Sequence, residues 1–179
     1  MRRLLIALVL LLSGCGAAAP EPLREARAAE PQRASLGWRE SYPNGGERLV
    51  FGVESLEVTA DGWSSRISIE NRTKIPFKLG NGPPLALGLV LLPDDDGKTL
   101  DRVTSRDGLL IREPRTIEPR PPDVLSPGET WRATISSRGS LADSAYVRIS
   151  FGPLVAQGEP PPDMDQSTVV WITDESYRL

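Results

Sequence analysis

Few residues in this chain of 179 amino acids are suited to catalysis. The sequence contains no histidine and a single cysteine, Cys15. Without histidine the chain lacks the usual base for activating a serine or cysteine nucleophile, and it also lacks imidazole metal ligands. One cysteine forms neither an internal disulfide nor a cysteine-ligand zinc site. We therefore predict that the protein is not an enzyme and binds no cofactor.

Carboxylates are the remaining groups with catalytic or metal-binding potential. Residues 94–96 (DDD) are consecutive, so their side chains diverge, whereas a calcium loop alternates its ligands. Asp163 and Asp165 do alternate, but no glycine and no distal glutamate complete the pattern. Nothing in the sequence sets two acidic side chains at the separation that glycoside hydrolysis needs. We expect solvated turns here and no metal site.

The first fifteen residues have the organisation of a signal sequence. Arg2 and Arg3 precede an apolar run over residues 4–12. At ~1.5 Å per residue this run covers about half of the ~30 Å hydrocarbon core of a bilayer, which is too short for a spanning helix. A positive start followed by a short apolar run is typical of a signal peptide.

Leu12, Ser13, Gly14 and Cys15 resemble the lipobox of bacterial lipoproteins. The resemblance implies a diacylglyceryl group on the Cys15 sulfur and cleavage by signal peptidase II before that residue. Two or three acyl chains anchor a protein stably in a bilayer. Gly16 replaces the aspartate typical of inner-membrane retention, which implies the outer membrane in a diderm host. An ordinary secretory signal with a cysteine at its cleavage site is the alternative.

Charge and composition define the expected partners and the domain organisation. The formal net charge of −3 leaves no basic footprint for nucleic acid. The expected partners are the lipid bilayer, through acylated Cys15, and another protein of the cell envelope. We predict a signal peptide over residues 1–14, a lipidated flexible tether over residues 15–36 and a β-sandwich domain over residues 37–179. The tether has few large apolar residues to bury, and a short helix over residues 23–29 is the alternative.

Apolar residues after the tether recur with a period of two. Leu49, Phe51 and Val53 share one face, and the phase reverses at Leu56. The reversal predicts a β-bulge near residues 54–55, because one extra residue exchanges the two faces of a strand.

Later segments extend this pattern. Residues 61–62 (DG) predict a hairpin turn. Residues 85–92 are apolar on both faces and predict a central strand, with a short helix as the alternative. Seven to nine short strands predict an all-β fold, an antiparallel immunoglobulin-like β-sandwich. The predicted core consists of Phe51, Val58, Ile67, Ile69, Phe77, Leu87, Leu89, Trp131, Ile135, Val147, Ile149, Phe151 and Trp171.

Two short motifs resemble a known family. Residues 69–77 (IENRTKIPF) contain an N-x-T-x-x-P step, and residues 125–131 (LSPGETW) contain an L-x-P-G-E step. Both motifs occur in the BsuPI-type proteinase-inhibitor domain. In that domain a D-G-K turn lies between them, as residues 96–98 do here. The resemblance implies an immunoglobulin-like fold. The motifs consist of residues that favour turns, so they indicate a fold more than an activity.

Four residues are candidate binding residues. Trp38 precedes the first alternating segment and is the best candidate for an exposed aromatic contact. Arg112, Arg115 and Arg120 lie in residues 112–123 (REPRTIEPRPPD), where proline fixes an extended backbone that presents side chains at low ordering cost. A plain crossover between the two sheets is the alternative for this segment.

Together these features predict a membrane-anchored lipoprotein of the cell envelope. Its non-catalytic domain is expected to bind or stabilise another envelope protein. The alternative is a module that binds a small ligand or a protease, as an inhibitor does. An enzyme is the third possibility.

Overall fold

The computed structural model describes residues 27–79, 86–96 and 111–179. These residues form an all-β antiparallel sandwich without helices, which confirms the predicted fold class. The described ranges contain twelve strands, more than the predicted seven to nine, because five are only two or three residues long and give no alternation in the sequence. The strands are β1 (Gln32–Tyr42), β2 (Leu49–Thr59), β3 (Gly62–Asn71), β4 (Phe77–Leu79), β5 (Gly88–Leu92), β6 (Ile111–Arg112), β7 (Thr116–Glu118), β8 (Val124–Leu125), β9 (Thr130–Arg138), β10 (Tyr146–Ala156), β11 (Thr168–Ile172) and β12 (Tyr177–Arg178).

The first sheet has the strand order β1-β2-β3-β9-β7, so β1 and β7 form its opposite edges. The predicted hairpin of β2 and β3 is present, but it turns at residues 60–61, one residue earlier than predicted. Gly62 begins β3, where a Cβ atom would lie 2.6 Å from the carbonyl oxygen of Ser137 on β9. Glycine is therefore required at this position by the close approach of the neighbouring strand.

The second sheet is built around β10. Ser150 pairs with Gly88 of β5 on one side and with Ile172 of β11 on the other. Further along the strand, Leu154 is likewise flanked by β4 and β11. Thus β4 and β5 follow one another along one side of β10, while β11 and β12 occupy the other side. The short strands β8 and β6 extend the sheet beyond β4 and β5, respectively.

The core lies between the two sheets. Twelve of the thirteen predicted core residues are buried, and Trp171 is half-buried at the margin. The Trp171 ring stacks on Phe51 with a centroid distance of 5.8 Å, and Phe51 also contacts Phe151 at 5.1 Å. Aromatic side chains from both sheets therefore close this side of the core.

The predicted bulge is present in β2. Val53 pairs with Ile67 and Ser55 pairs with Arg66, which leaves Glu54 as the extra residue. The inward face consequently changes phase after Val53, as the sequence pattern required.

The amino-terminal boundary of the sandwich is earlier than predicted. Strand β1 begins at Gln32, five residues inside the segment predicted as a tether, and Ala28 already forms a bridge with Ala142. Ala29 is buried in the core. Residues 1–26 lie outside the described part of the chain, so the signal peptide and the rest of the tether stay predictions.

The sandwich has two poles. At the N-terminal pole, residues 27–29 contact the β9–β10 connection, and Asp143 N donates to the Arg27 carbonyl at 2.7 Å. The same connection reaches the β2–β3 turn, where Gly139 N donates to the Asp61 carbonyl at 2.7 Å. At the loop pole lie residues 43–48, 72–76, 126–129 and 157–167. Strands β1 to β3 have ten or eleven residues, so the poles are roughly 30 Å apart at ~3.3 Å per residue.

The two motifs that carry the family resemblance meet at the loop pole through Asn71. The Asn71 side chain is fully buried, and its amide donates to the carbonyl oxygens of Ile75 at 2.8 Å and Leu125 at 3.0 Å. Its oxygen accepts from the backbone N–H and the hydroxyl of Thr73. Gly128 N donates to the Asn71 carbonyl at 2.7 Å. Asn71 thus connects both turns.

Candidate binding surface

The segment from Ile111 to Leu125, called the arm below, crosses from one sheet to the other and back. It pairs with β5 through β6, with β9 through β7 and with β4 through β8. The indole nitrogen of Trp131 also donates to the Pro119 carbonyl at 3.3 Å. The arm is therefore a crossover between the sheets, as the alternative interpretation predicted, and it is held at both of them.

The arm contains both buried apolar residues and exposed charged residues. Leu125 is fully buried, and Ile117 packs partly buried against the core. In contrast, the side chains of Arg112, Arg115 and Arg120 are exposed. None of these guanidinium groups has a hydrogen bond or ion pair with a described residue. Each therefore presents up to five free N–H donors from a backbone that the sheets hold in place.

The three arginines lie along one lateral side of the sandwich. Arg112 belongs to β6 in the second sheet, whereas Arg115 and Arg120 flank β7 at the edge of the first sheet. The segment predicted as a binding loop thus spans both sheet edges on this side. A single partner surface that covers this side contacts both sheets.

A shallow groove lies beside the arm on the outer face of the first sheet. It has a volume of about 280 Å³, and its walls include Glu118, Pro119 and Arg132 together with the ion pair of Arg66 and Glu54. Arg132 is exposed and has no ion pair with a described residue. Arg132 was not among the predicted binding residues, because its sequence context does not distinguish it from other outward-facing strand residues.

The prediction that Trp38 forms an exposed aromatic contact is wrong. Trp38 is only 8% exposed and belongs to the core, because β1 starts six residues earlier and directs this side chain inward. Its strand is also at the opposite edge of the first sheet from β7. The structure therefore does not bring Trp38 together with the three arginines.

Acidic residues form turns and ion pairs. Asp95 accepts from Arg148 at 3.0 Å, and the buried Arg148 also donates to the Thr173 carbonyl at 2.8 Å. Residues 94–96 follow β5 and are exposed, and Asp96 N donates to the Asp94 carboxylate at 3.2 Å. In the described ranges no group of three or more Cys, Asp or Glu side chains is placed to hold a metal ion.

Asp163 and Asp165 both engage other parts of the loop pole. Arg48 donates to Asp163 at 2.8 Å, and this hydrogen bond lowers the pKa of the Asp163 carboxyl. The hydroxyl of Tyr42 donates to Asp165. Burial and this hydrogen bond raise the pKa of Tyr42 to about 12. Both carboxylates therefore hold residues 157–167 against the first sheet.

Cys15 lies outside the described residues, so its lipidation stays a prediction. Within the described ranges, no helix has the length and hydropathy needed to cross a membrane.

Comparison with known proteins identifies no relative. No protein-family model matches the chain, and neither a curated protein nor a solved structure matches it significantly. The resemblance to the BsuPI-type domain stays a prediction as well.

Proposed function

We propose that the protein is a lipid-anchored component of the bacterial cell envelope whose sandwich domain binds or stabilises another envelope protein without catalysis. One observation carries this proposal. The arm is fixed to both sheets by backbone pairing, yet it exposes three arginines that no described residue neutralises. A chain that needed only to connect two sheets would not require them.

Physical chemistry favours a protein partner for this surface. Arginine is enriched at protein interfaces because its planar group binds carboxylates with two parallel hydrogen bonds. The arm is already ordered, so binding costs little additional conformational entropy. Charges of this kind at the rim of an interface mainly accelerate association and select acidic partners.

The anchor part of the proposal rests on the lipobox resemblance at Cys15. Arg27 lies at the N-terminal pole, so acylation at Cys15 would bring this pole nearest the membrane and leave the arm accessible from the side. We assign the outer membrane if the host is diderm. Replacing Cys15 with alanine should shift the protein from the membrane to soluble or uncleaved forms. Retention of a cleaved, membrane-bound product contradicts the anchor.

The partner is tested by in-cell crosslinking followed by a pull-down of the acylated protein. The test variant carries Arg112→Glu, Arg115→Glu and Arg120→Glu. The matched control carries Arg33→Glu, Arg138→Glu and Arg178→Glu, which changes the net charge equally at exposed positions outside the arm. We expect a single stoichiometric partner that the arm variant loses and the control retains. Equal recovery with both variants, or no partner at all, contradicts the proposal.

A protease-binding function is the second candidate, and the attachment of the arm to both sheets favours it. Proteases bind extended segments, and a segment that is paired at both ends resists the distortion that cleavage needs. This candidate predicts saturable inhibition of an envelope protease that disappears in the arm variant. Cleavage of the arm as an ordinary substrate would exclude it.

A further inference from the structure

The loop pole contains a groove that is separate from the arm. Its volume is about 510 Å³, within the range of ~300–1,000 Å³ that is typical of ligand sites. Residues from three connections far apart in the sequence form it. The lining residues are Arg48, Lys74, Ile75, Glu159, Pro160, Pro161 and Pro162.

Backbone hydrogen bonds fix the loops around this groove. Arg72 N donates to the Arg48 carbonyl at 2.8 Å, and Gln157 N donates to the Pro76 carbonyl at 2.9 Å. Met164 is buried in the core, and its N–H donates to Pro161 at 2.8 Å. The groove thus exists before any ligand arrives, so binding requires little ordering.

The walls suit an extended chain with an apolar side chain. Ile75 is half-buried and faces the groove beside Pro160 and Pro161, which are also half-buried. Prolines present apolar rings and carbonyl oxygens but no N–H groups. An extended peptide can donate its own N–H groups to such carbonyls while it packs an apolar side chain on the rings.

The groove offers nitrogen donors that could bind a carboxylate. Lys74 is exposed and has no ion pair or hydrogen bond with a described residue. Arg48 uses only its Nε for Asp163 among the described residues, which leaves its terminal nitrogens as donors. Asp163 offsets the charge of Arg48, and Glu159 is the one acidic residue among the lining residues. The groups that a carboxylate would contact are therefore the ammonium of Lys74 and the terminal N–H groups of Arg48.

We propose that this groove docks an extended peptide segment of a partner protein. The segment places an apolar side chain against Ile75 and the prolines, and a carboxylate beside Lys74 and Arg48. The site lies at the pole opposite Arg27, so the chain that enters at the N-terminal pole does not obstruct it. This proposal does not depend on the arm or on lipidation.

The test uses the full-length protein and a phage-displayed library of random twelve-residue peptides. Enriched peptides are synthesised, and their affinities are measured for the unaltered protein, for Lys74→Glu and for Lys78→Glu. Lys78 is the matched control, because it is an exposed lysine on β4 that does not line the groove.

We expect enriched peptides that combine acidic and apolar residues. Their affinity should fall about fivefold or more in Lys74→Glu and change by less than about twofold in Lys78→Glu. The arm variant should bind them normally, so failure of the arm proposal leaves this result intact. Enrichment of basic peptides, equal effects of the two lysine substitutions, or no enrichment overturns the proposal.

Discussion

The carboxylate of Glu40 accepts a hydrogen bond of 2.7 Å from the indole nitrogen of Trp171, and this bond joins the two sheets. Glu40 lies on the edge strand of the first sheet, whereas Trp171 belongs to the second sheet. The same carboxylate accepts from the backbone N–H groups of Asp174 at 2.9 Å and Glu175 at 3.0 Å. Glu40 therefore helps to close the lateral side of the sandwich opposite the arm.

Replacing Glu40 with alanine should lower the free energy of unfolding by about 1–3 kcal/mol, because hydrogen bonds to a charged acceptor are lost and the half-buried indole loses its partner. Chemical denaturation measures the change. Glu57→Ala is the matched control, since Glu57 has only a loose surface ion pair with Arg33 at 3.8 Å. Equal losses in the two variants contradict the assigned role of Glu40.

Because Asn71 is buried and fully hydrogen-bonded, we expect even an isosteric substitution at this position to lower the stability of the domain strongly. In Asn71→Asp a carboxylate oxygen replaces the amide and faces the carbonyl oxygens of Ile75 and Leu125. We expect the free energy of unfolding to fall by about 2–4 kcal/mol, because the buried carboxylate cannot donate to the two carbonyl oxygens and its charge is repelled by them. The exposed Asn44→Asp should cost less than about 0.5 kcal/mol. Similar melting temperatures for the two variants would show that the Asn71 network is unimportant.

The raised pKa of Tyr42 predicts that the stability of the folded protein depends on pH in the alkaline range. Its pKa is raised from 10.0 to about 12 in the folded protein, chiefly by burial and by the hydrogen bond to Asp165. Below pH 10 the phenol is neutral in both states, and its contribution to stability is complete. Between pH 10 and 12 the unfolded chain releases this proton first, so stability should fall as pH rises.

Denaturation of the unaltered protein and of Tyr42→Phe, compared below pH 10 and near pH 12, isolates this contribution. The stability difference between the two proteins should shrink towards pH 12. A constant difference across this range contradicts the raised pKa.

Ile67 tests the assignment of inward faces in the first sheet. It is 2% exposed and pairs with Val53 and Ala133 across the neighbouring strands. Ile67→Asp should cost at least about 4 kcal/mol and unfold the domain, because an unpaired charge is buried. Thr134→Asp, at an exposed position on β9, should leave the domain folded. An unchanged melting temperature for Ile67→Asp would mean that this face does not point into the core.

The sequence predicted the long inner strands well, because their apolar side chains alternate over most of each strand. The phase change at Glu54 and the inward positions of Ile67 and Phe151 are examples. Strand β1 was missed because Gln32 and Glu40 interrupt its apolar inward face. These two polar residues hold the sheets together, since Tyr177 donates to Gln32 at 2.8 Å.

The proposed binding surfaces could be predicted only partly from the sequence. The arm arginines stand out in the sequence by their proline-rich context, but the pairing of Ile117 with Ile135 depends on a distant strand. The groove at the loop pole combines Arg48, Lys74 and residues 159–162. No local pattern encodes the meeting of three such distant segments, because tertiary packing alone brings them together.

The most direct test of the central claim places a photo-crosslinking amino acid at Arg115 in the lipidated protein in cells, with the same replacement at Arg33 on β1 as the control. The first position lies on the arm, and the second lies at the opposite edge of the first sheet. Our account predicts one adduct of defined mass from position 115 and none from position 33. Equal labelling from both positions, or no adduct from position 115, would contradict a partner bound at the arm.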